Sequence, residues 1–300
     1  MRRFGGVGLL ATFVLGLTLT SCSSSSDAGS SGGLSVVAST NAWGSVVEQI
    51  AGRLSGSKVD VTAIITDPAA DPHSYEANPR NKLAISRADL LIENGGGYDD
   101  FIAALRDSSG SDAHVINAVD VGATGSDNEH VWYDFPTVEK VALRIEAFLV
   151  AHDKADAATY RANARAFIAK LHAMEADEAN IKQDAGGTGV AITEPVPLYL
   201  LDACGFVNRT PGEFSKAIEE GTDVSPRVLQ DTLALFSAHE VKLLVYNEQT
   251  TGVETDQVKA AAQANHVPIV PVTETLPSGK TYLSWMQANL DAIATALRVT

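Results

Sequence analysis

Strand-like and helix-like stretches alternate in two separate runs along this chain, and the residues between the runs are helical throughout. A strand, a helix and another strand in succession mark βαβ units, which build parallel sheets covered by helices. In the first run, "LSVVAST" (34–40) reads as a buried strand and "NAWGSVVEQIAGRL" (41–54) as an amphipathic helix opened by Asn41. "VDVTAII" (59–65), "DLLIENGG" (89–96) and "HVINAVD" (114–120) continue as strands, with helices at "PRNKLAISRA" and "DDFIAALRD". The middle pieces, "FPTVEKVALRIEAFLVAHD" and "ADAATYRANARAFIAKLHAMEADEANIKQ", carry apolar residues at helical spacing. At 1.5 Å per residue the second would run about 40 Å before stopping at Gly186 and Gly187. The alternation resumes with "GVAIT", "VPLYLLDACGF", "VSPRVLQDTLALFSAH", "VKLLVYN", "VETDQVKAAAQANH" and "VPIVPVT", and a final helix starts at "YLSWMQ". The expected fold is α/β, with two parallel-sheet lobes joined by one long helix and a cleft between them. Its boundaries are an N-terminal lobe over 34–134, a helical region over 135–185 and a C-terminal lobe over 186–300.

The beginning of the chain speaks to compartment. "MRRFGGVGLLATFVLGLTLTSC" has two Arg, an apolar run of signal-peptide length and small residues before Cys22. It is expected to be a lipoprotein signal peptide over 1–21, too short for a stable membrane span. Cys22 becomes the lipid-modified residue, and "SSSSDAGSSGG" completes a flexible tether over 22–33. The protein is then expected on the extracytoplasmic face of the bacterial cell membrane, held by its lipid. Only Cys204 remains beyond this segment, so no internal disulfide forms there; in "LYLLDACGF" it reads as a small buried hydrophobe. The formal charge of −15 disfavours nucleic acid and anionic lipid as partners and suits cations.

Ligands of open parallel sheets bind beyond the carboxyl ends of the strands. The polar residues that follow predicted strands include His73 after "VTAII", His130 in "SDNEHVWYD", Glu194 after "GVAIT" and Glu274 after "VPIVPVT". Two come from each half, so a cleft between lobes can unite them, and two imidazoles with two carboxylates suit a divalent transition metal. Each has a structural alternative. The His residues could be solvated or paired with an acid, Glu194 could cap the helix after it, and Glu274 could be an exposed loop acid. His114, His152, His172, His239 and His266 read as strand-start, helix-surface or helix-end residues without a role.

Three stretches carry a family resemblance: "VVASTNAWGSVVEQIAG", "DPHSYEANPRNKLAISRADLLIENG" and "EHVWYDFPTVEKVA". With "TPGEFSKAIEEGTDVSPRVLQ" and "VPVTETLPSGKTYLSWMQ" following in order, the chain resembles the metal-ion (zinc or manganese) class of solute-binding lipoproteins of ABC transporters. The resemblance implies two α/β lobes bridged by a long rigid helix, with the metal at their interface. It places the first two metal ligands on His73 and His130. The third falls on Glu194, where zinc-specific members supply a His and manganese-binding members a Glu. The fourth is Glu274, where many members have Asp. No His-rich loop is present.

Such a His₂Glu₂ set allows a coordination number above four, which favours Mn²⁺ narrowly over Zn²⁺; Fe²⁺ fits the same donors. The ion is a transported ligand rather than a catalytic cofactor. The implied partners are an ABC permease and its ATPase, and the protein is expected to be a monomer and not an enzyme. The alternatives are zinc-specific capture by the same site, a surface adhesin, or a metallohydrolase with an open metal position and a separate base. No His-Glu-x-x-His helix, Gly-x-Ser-x-Gly elbow or phosphate loop points to the last. Tyr75 and Trp132 read as packing residues near the pocket.

Overall fold

A computed structural model describes residues 33–298 apart from 69 and 71. The expected signal peptide, Cys22 and the tether up to residue 32 lie outside the described residues.

Two four-stranded sheets form, each wholly parallel. The first contains β1 (Leu34–Thr40), β2 (Val59–Ile65), β3 (Leu90–Glu93) and β4 (His114–Asn117), in the order β2-β1-β3-β4. The second contains β5 (Gly189–Ile192), β6 (Val207–Asn208), β7 (Leu243–Asn247) and β8 (Ile269–Val272), in the order β6-β5-β7-β8. The two runs of alternation thus fold to the same strand order. Val36 and Val37 of β1 pair with Leu90 and Leu91, and Ala191 of β5 pairs with Leu244; these apolar strands are covered on both faces.

The crossovers in the first lobe are α1 (Asn41–Ala51), α2 (Pro79–Ser86), α3 (Phe101–Ser109) and the short α4 (Ala118–Gly122). The linking region is α5 (Phe135–His152) and α6 (Ala157–Ala185). The second lobe adds α7 (Leu198–Ala203), α8 (Gly212–Glu219), α9 (Pro226–Ser237), α10 (Val253–Ala264) and α11 (Tyr282–Arg298). No helix among the described residues is long and apolar enough to cross a membrane.

Three local readings change. α1 opens at Asn41 as read, but the Asn41 amide does not serve its own helix: it reaches across the lobes, accepting from the Leu276 amide at 2.8 Å and donating to its carbonyl at 3.0 Å. The "HVINAVD" strand ends at Asn117, whose side chain accepts from Asp120 N at 3.0 Å and opens α4. The "TPGEFSKAIEEG" stretch, given no element from its sequence, forms α8.

One hydrophobic core runs through both lobes. Trp43, Leu90, Leu149 and Phe167 belong to it, and so do Val190, Leu243 and Met286. Cys204 is fully buried within it, and burial followed by the nearby Glu178 pushes its thiol up to about 12, so it stays an uncharged packing group. The helix α6 carries the join, packing on α1, α5, α7 and α11. Its inward stripe is Tyr160, Ala164, Phe167, Leu171, Met174 and Glu178, steps of three and four residues that keep one face turned inward. Full burial of a Leu or Phe contributes about 2 kcal/mol, so a core shared between lobes opposes their separation.

Glu178 is the acid on that apolar stripe. Burial, with the charges of Glu175 and Asp134 added, pushes its carboxyl up to about 8. A carboxyl that binds its proton more tightly when folded withholds stability as it ionises: nothing below the ordinary 4.5, increasing as pH rises to 8. At about 1.4 kcal/mol per unit, Glu178→Gln is expected to stabilise the protein by up to about 4 kcal/mol at pH 8 and hardly at all at pH 4.5. Thermal melting at the two pH values measures this; equal shifts at both would show that ionisation is not what the site resists.

Candidate metal centre

Residues beyond β2 in one lobe and beyond β5, β7 and β8 in the other meet at the seam between the lobes and build the site. His73 sits in a 3-10 turn (Pro72–Ser74) beyond β2, and His130 directly precedes another at Val131–Tyr133. Their ring centroids lie 5.9 Å apart. Tyr98 meets His73 edge-on at 4.9 Å, while Trp132 packs on His130 at 5.1 Å and on Tyr98 at 4.7 Å. Rings held on two sides keep the imidazoles from swinging. Tyr75 turns away to Phe101 and donates to Asn81 Oδ1, a packing residue as expected.

The hydrogen bonds of His130 decide which nitrogen faces the site. Asn128 Oδ1 accepts from the His130 backbone amide at 3.2 Å, and Asn128 Nδ2 donates to the Pro195 carbonyl at 3.3 Å. These two bonds fix which end of the Asn amide is oxygen. His130 Nδ1, 2.7 Å from that oxygen, therefore carries the proton, and Nε2 carries the lone pair. The ring is fully buried; burial and then the neighbouring His73 hold it well below the usual imidazole value, hence neutral. Asn128 also accepts at its carbonyl from Tyr199 at 2.7 Å, so the His130 loop is tied to the second lobe twice.

The carboxylates come from the second lobe. Glu194 and Glu274 are both nearly fully buried and share one donor, the Nδ2 of Asn247 at the end of β7. That amide donates to Glu194 Oε2 and, at 2.9 Å, to Glu274 Oε1; Thr250 adds a bond to Glu194 at 2.7 Å. Glu274 Oε2 lies 3.7 Å from His73 Nε2. Gln249 holds the remaining loops, donating to the Ala70 carbonyl at 2.8 Å and to Thr275 at 3.0 Å and accepting from the Glu274 amide. The four residues singled out from sequence thus form two pairs, His73 with His130 and Glu194 with Glu274, joined through His73 and Glu274; the two carboxylates lie outside the group of donors around the imidazoles that are all within 4.8 Å of one another.

Two more carboxylates stand beside the imidazoles. His73, Glu129, His130 and Glu219 each offer a donor atom, all within 4.8 Å of one another. Glu219 Oε1 is 3.8 Å from His130 Nε2, and burial first, then Glu129 and Glu194, pushes its carboxyl up to about 8. A cavity of about 590 Å³ opens above, lined by His73, Gly96, Glu129, Glu219 and Thr250. Gly96 turns the chain there with φ 70°, and a Cβ on it would come within 2.9 Å of the Glu129 Cβ, so any larger residue would push the His130 loop. Neutral imidazole nitrogens and carboxylate oxygens around a pocket form a donor set for a divalent transition metal.

The family model described as zinc-uptake complex component A, periplasmic (ZnuA) matches residues 36–296. The chain belongs to that family. It is 27% identical to the manganese ABC transporter substrate-binding lipoprotein scaA of Streptococcus gordonii, with 99% of each chain covered. It is also 27% identical to the manganese-binding lipoprotein MntA of Halalkalibacterium halodurans, over 88% of this chain and 89% of that one. Among solved structures, the solute-binding protein FpvC of Pseudomonas aeruginosa in complex with Mn²⁺ superposes with a TM-score of 0.72 at 24% identity, covering 89% of this chain and 99% of that one.

In this ZnuA-family chain the strand-end rule missed Asn247 and Asn94. Asn94, just after β3, donates to the Glu129 carbonyl at 2.8 Å and accepts from the Trp43 indole at 3.3 Å. β3 and β7 hold the same rank in their sheets, and each ends at an Asn that braces the site. Both were legible as polar residues closing an apolar run, had amides been considered beside imidazoles and carboxylates. Glu219 carried no such mark.

Asn128→Ala is expected to free the His130 ring. Nitrogen-15 NMR of the imidazole should show an unprotonated Nε2 in the native protein and tautomer exchange in the variant. Loss of the buried bonds should lower unfolding stability by about 1–3 kcal/mol. An unchanged Nε2 signal would mean that packing against Tyr98 and Trp132 fixes the ring instead.

Proposed function

We propose that the protein captures a divalent transition metal outside the cell and hands it to an ABC importer, with His73, His130, Glu194 and Glu274 as ligands. The observation that carries this reading is the convergence of two imidazoles and two buried carboxylates, supplied equally by the two lobes. Membership of the family and the metal-importer names of the relatives support it. The protein binds and releases; it does not turn over a substrate, and its partners are a permease with its ATPase.

Mn²⁺ is the favoured cargo. A His₂Glu₂ set offers two nitrogens and up to four oxygens, and carboxylate oxygens with a coordination number above four suit Mn²⁺ better than tetrahedral Zn²⁺. Zn²⁺ nonetheless binds most N/O sites more tightly in the Irving–Williams order, so selection rests on geometry rather than raw affinity. Lipid on Cys22 and the tether over 22–33 would keep the protein beside its permease at the outer face of the membrane. Release would follow a local rearrangement of the ligand loops on docking, because the shared core resists a wide opening.

Thermal melting of the metal-stripped protein under anaerobic conditions tests this. A ligand at a hundredfold excess over its dissociation constant adds about 2.7 kcal/mol to the native state. Micromolar Mn²⁺ is expected to raise the midpoint, and His73→Ala to abolish the rise. A shift with Zn²⁺ alone would make the protein a zinc scavenger, and no shift with either ion would overturn the site.

A further inference from the structure

We propose that Glu219, at the last position of α8, is a further ligand of the captured ion and biases the site toward Mn²⁺ over Zn²⁺. This rests on the metal-capture reading above and deepens it. None of the strand ends supplies this residue; it arrives on α8, in the crossover between β6 and β7, and lines the cavity at the mouth of the site.

The geometry carries the assignment. His130 is fully buried, its Nδ1 proton is committed to Asn128, and its Nε2 lone pair has no hydrogen-bond partner. The atom facing it at 3.8 Å is Glu219 Oε1, also enclosed and without a hydrogen-bond partner. Two enclosed polar atoms side by side at 3.8 Å, with no hydrogen bond between them or to anything else, leave both groups unsatisfied. A cation between them converts both into ligands. Lys216, one turn back on α8, offsets only a small part of this, since its ammonium pairs with the exposed Glu220 at 3.6 Å.

The spacing fits one ion. Donors about 2.1 Å from a metal lie at most about 4.2 Å apart. The 4.8 Å envelope around His73, Glu129, His130 and Glu219 therefore needs to contract by only about half an ångström around such an ion. The position of Glu219 argues the same way. The C-terminal end of a helix disfavours negative charge, so a buried carboxylate there gains from a cation more than a solvated one would. Gly221, with φ 62°, turns the chain away directly afterwards and leaves the carboxylate at the mouth.

With Glu219 added to the four proposed ligands the donor set becomes His₂Glu₃, and Glu129 stands within the same 4.8 Å envelope as the imidazoles. The third carboxylate raises both the oxygen count and the negative charge around the ion. Hard, six- or seven-coordinate ions gain from that; an ion satisfied by four ligands gains less.

The test compares Glu219→Gln with Glu220→Gln, which removes the same charge one residue further on. Dissociation constants of Mn²⁺ and Zn²⁺ are measured by competition with a chromogenic chelator, on metal-stripped full-length protein, with His73→Ala alongside. Glu219→Gln is expected to weaken Mn²⁺ by about 30-fold or more, Zn²⁺ by several-fold less, and Glu220→Gln to change neither by more than about threefold. Melting of the metal-free variant at or above the native midpoint shows that the fold is kept. Native-like binding of both ions by Glu219→Gln, with His73→Ala abolishing them, would overturn the role of Glu219 and leave the capture site standing. Equal weakening of both ions would overturn its part in selection. If the native protein binds neither ion, the capture reading itself falls, and this inference with it.

Discussion

Parallel strand pairing is the constraint on which the rest depends. Neighbouring strands in both sheets run the same way, so each must be followed by a crossover that returns the chain to the starting edge. Every carboxyl end then falls on one side of its sheet, and when two such sheets share a core those ends meet. The site is a product of that meeting. β1 and β2 of one lobe and β5, β7 and β8 of the other are largely apolar; polarity begins where each strand stops. Thr40, Asn94, Thr193, Asn247 and Thr273 all lie within one residue of a strand end, and the last three hold or adjoin the carboxylates.

What keeps the two edges in register is a set of bonds that cross the seam. Asn41 ties to Leu276, Gln249 to the Ala70 carbonyl, Asn128 to the Pro195 carbonyl, Tyr133 to the Thr273 carbonyl at 2.8 Å, and Tyr282 to the Trp132 carbonyl at 2.6 Å. Most join a side chain of one lobe to the backbone of the other, beside a candidate ligand. A domain that opened like a hinge would have to break them together and expose the core under α6. The structure is built instead for small local movement. The loop of His73 and the end of α8 flank the open cavity, and they are where an ion could pass without disturbing the seam.

Much of this frame was legible because its physics is local. β1 and β2 were read at their observed bounds, since Val, Ile and Thr crowd into seven-residue runs closed by Asn41 and by the Asp67–Pro68 break. The candidate residues stood out for a related reason: each lies in the loop region beyond an apolar strand, where parallel sheets bind their ligands. The helix α8 was not, because eight residues between Pro211 and Gly221 show little periodicity, and its one inward acid follows a helix rather than a strand. Asn41 was read correctly as the start of α1, but its long-range role was not, because an Asn at a helix start usually serves that helix. Here a bond to a residue 235 positions away won, which no local pattern encodes.

The two lobes prepare their donors in different ways, and the difference follows from the chemistry of each group. An imidazole has one lone pair, and it must be aimed; Tyr98 and Trp132 wedge the rings, and the Asn128 oxygen takes the Nδ1 proton so that Nε2 of His130 faces inward. A carboxylate needs no aiming, but two of them buried together repel. Asn247 holds Glu194 and Glu274 from between, its amide protons standing where positive charge is wanted. An amide is only a partial charge, so it moderates the repulsion without removing it. Beside it His130 Nε2 and Glu219 Oε1 stand 3.8 Å apart at the edge of the cavity, neither with a hydrogen-bond partner. A frame held this firmly gives these groups little room to move apart, and it is on their closeness that the proposed capture of a cation rests.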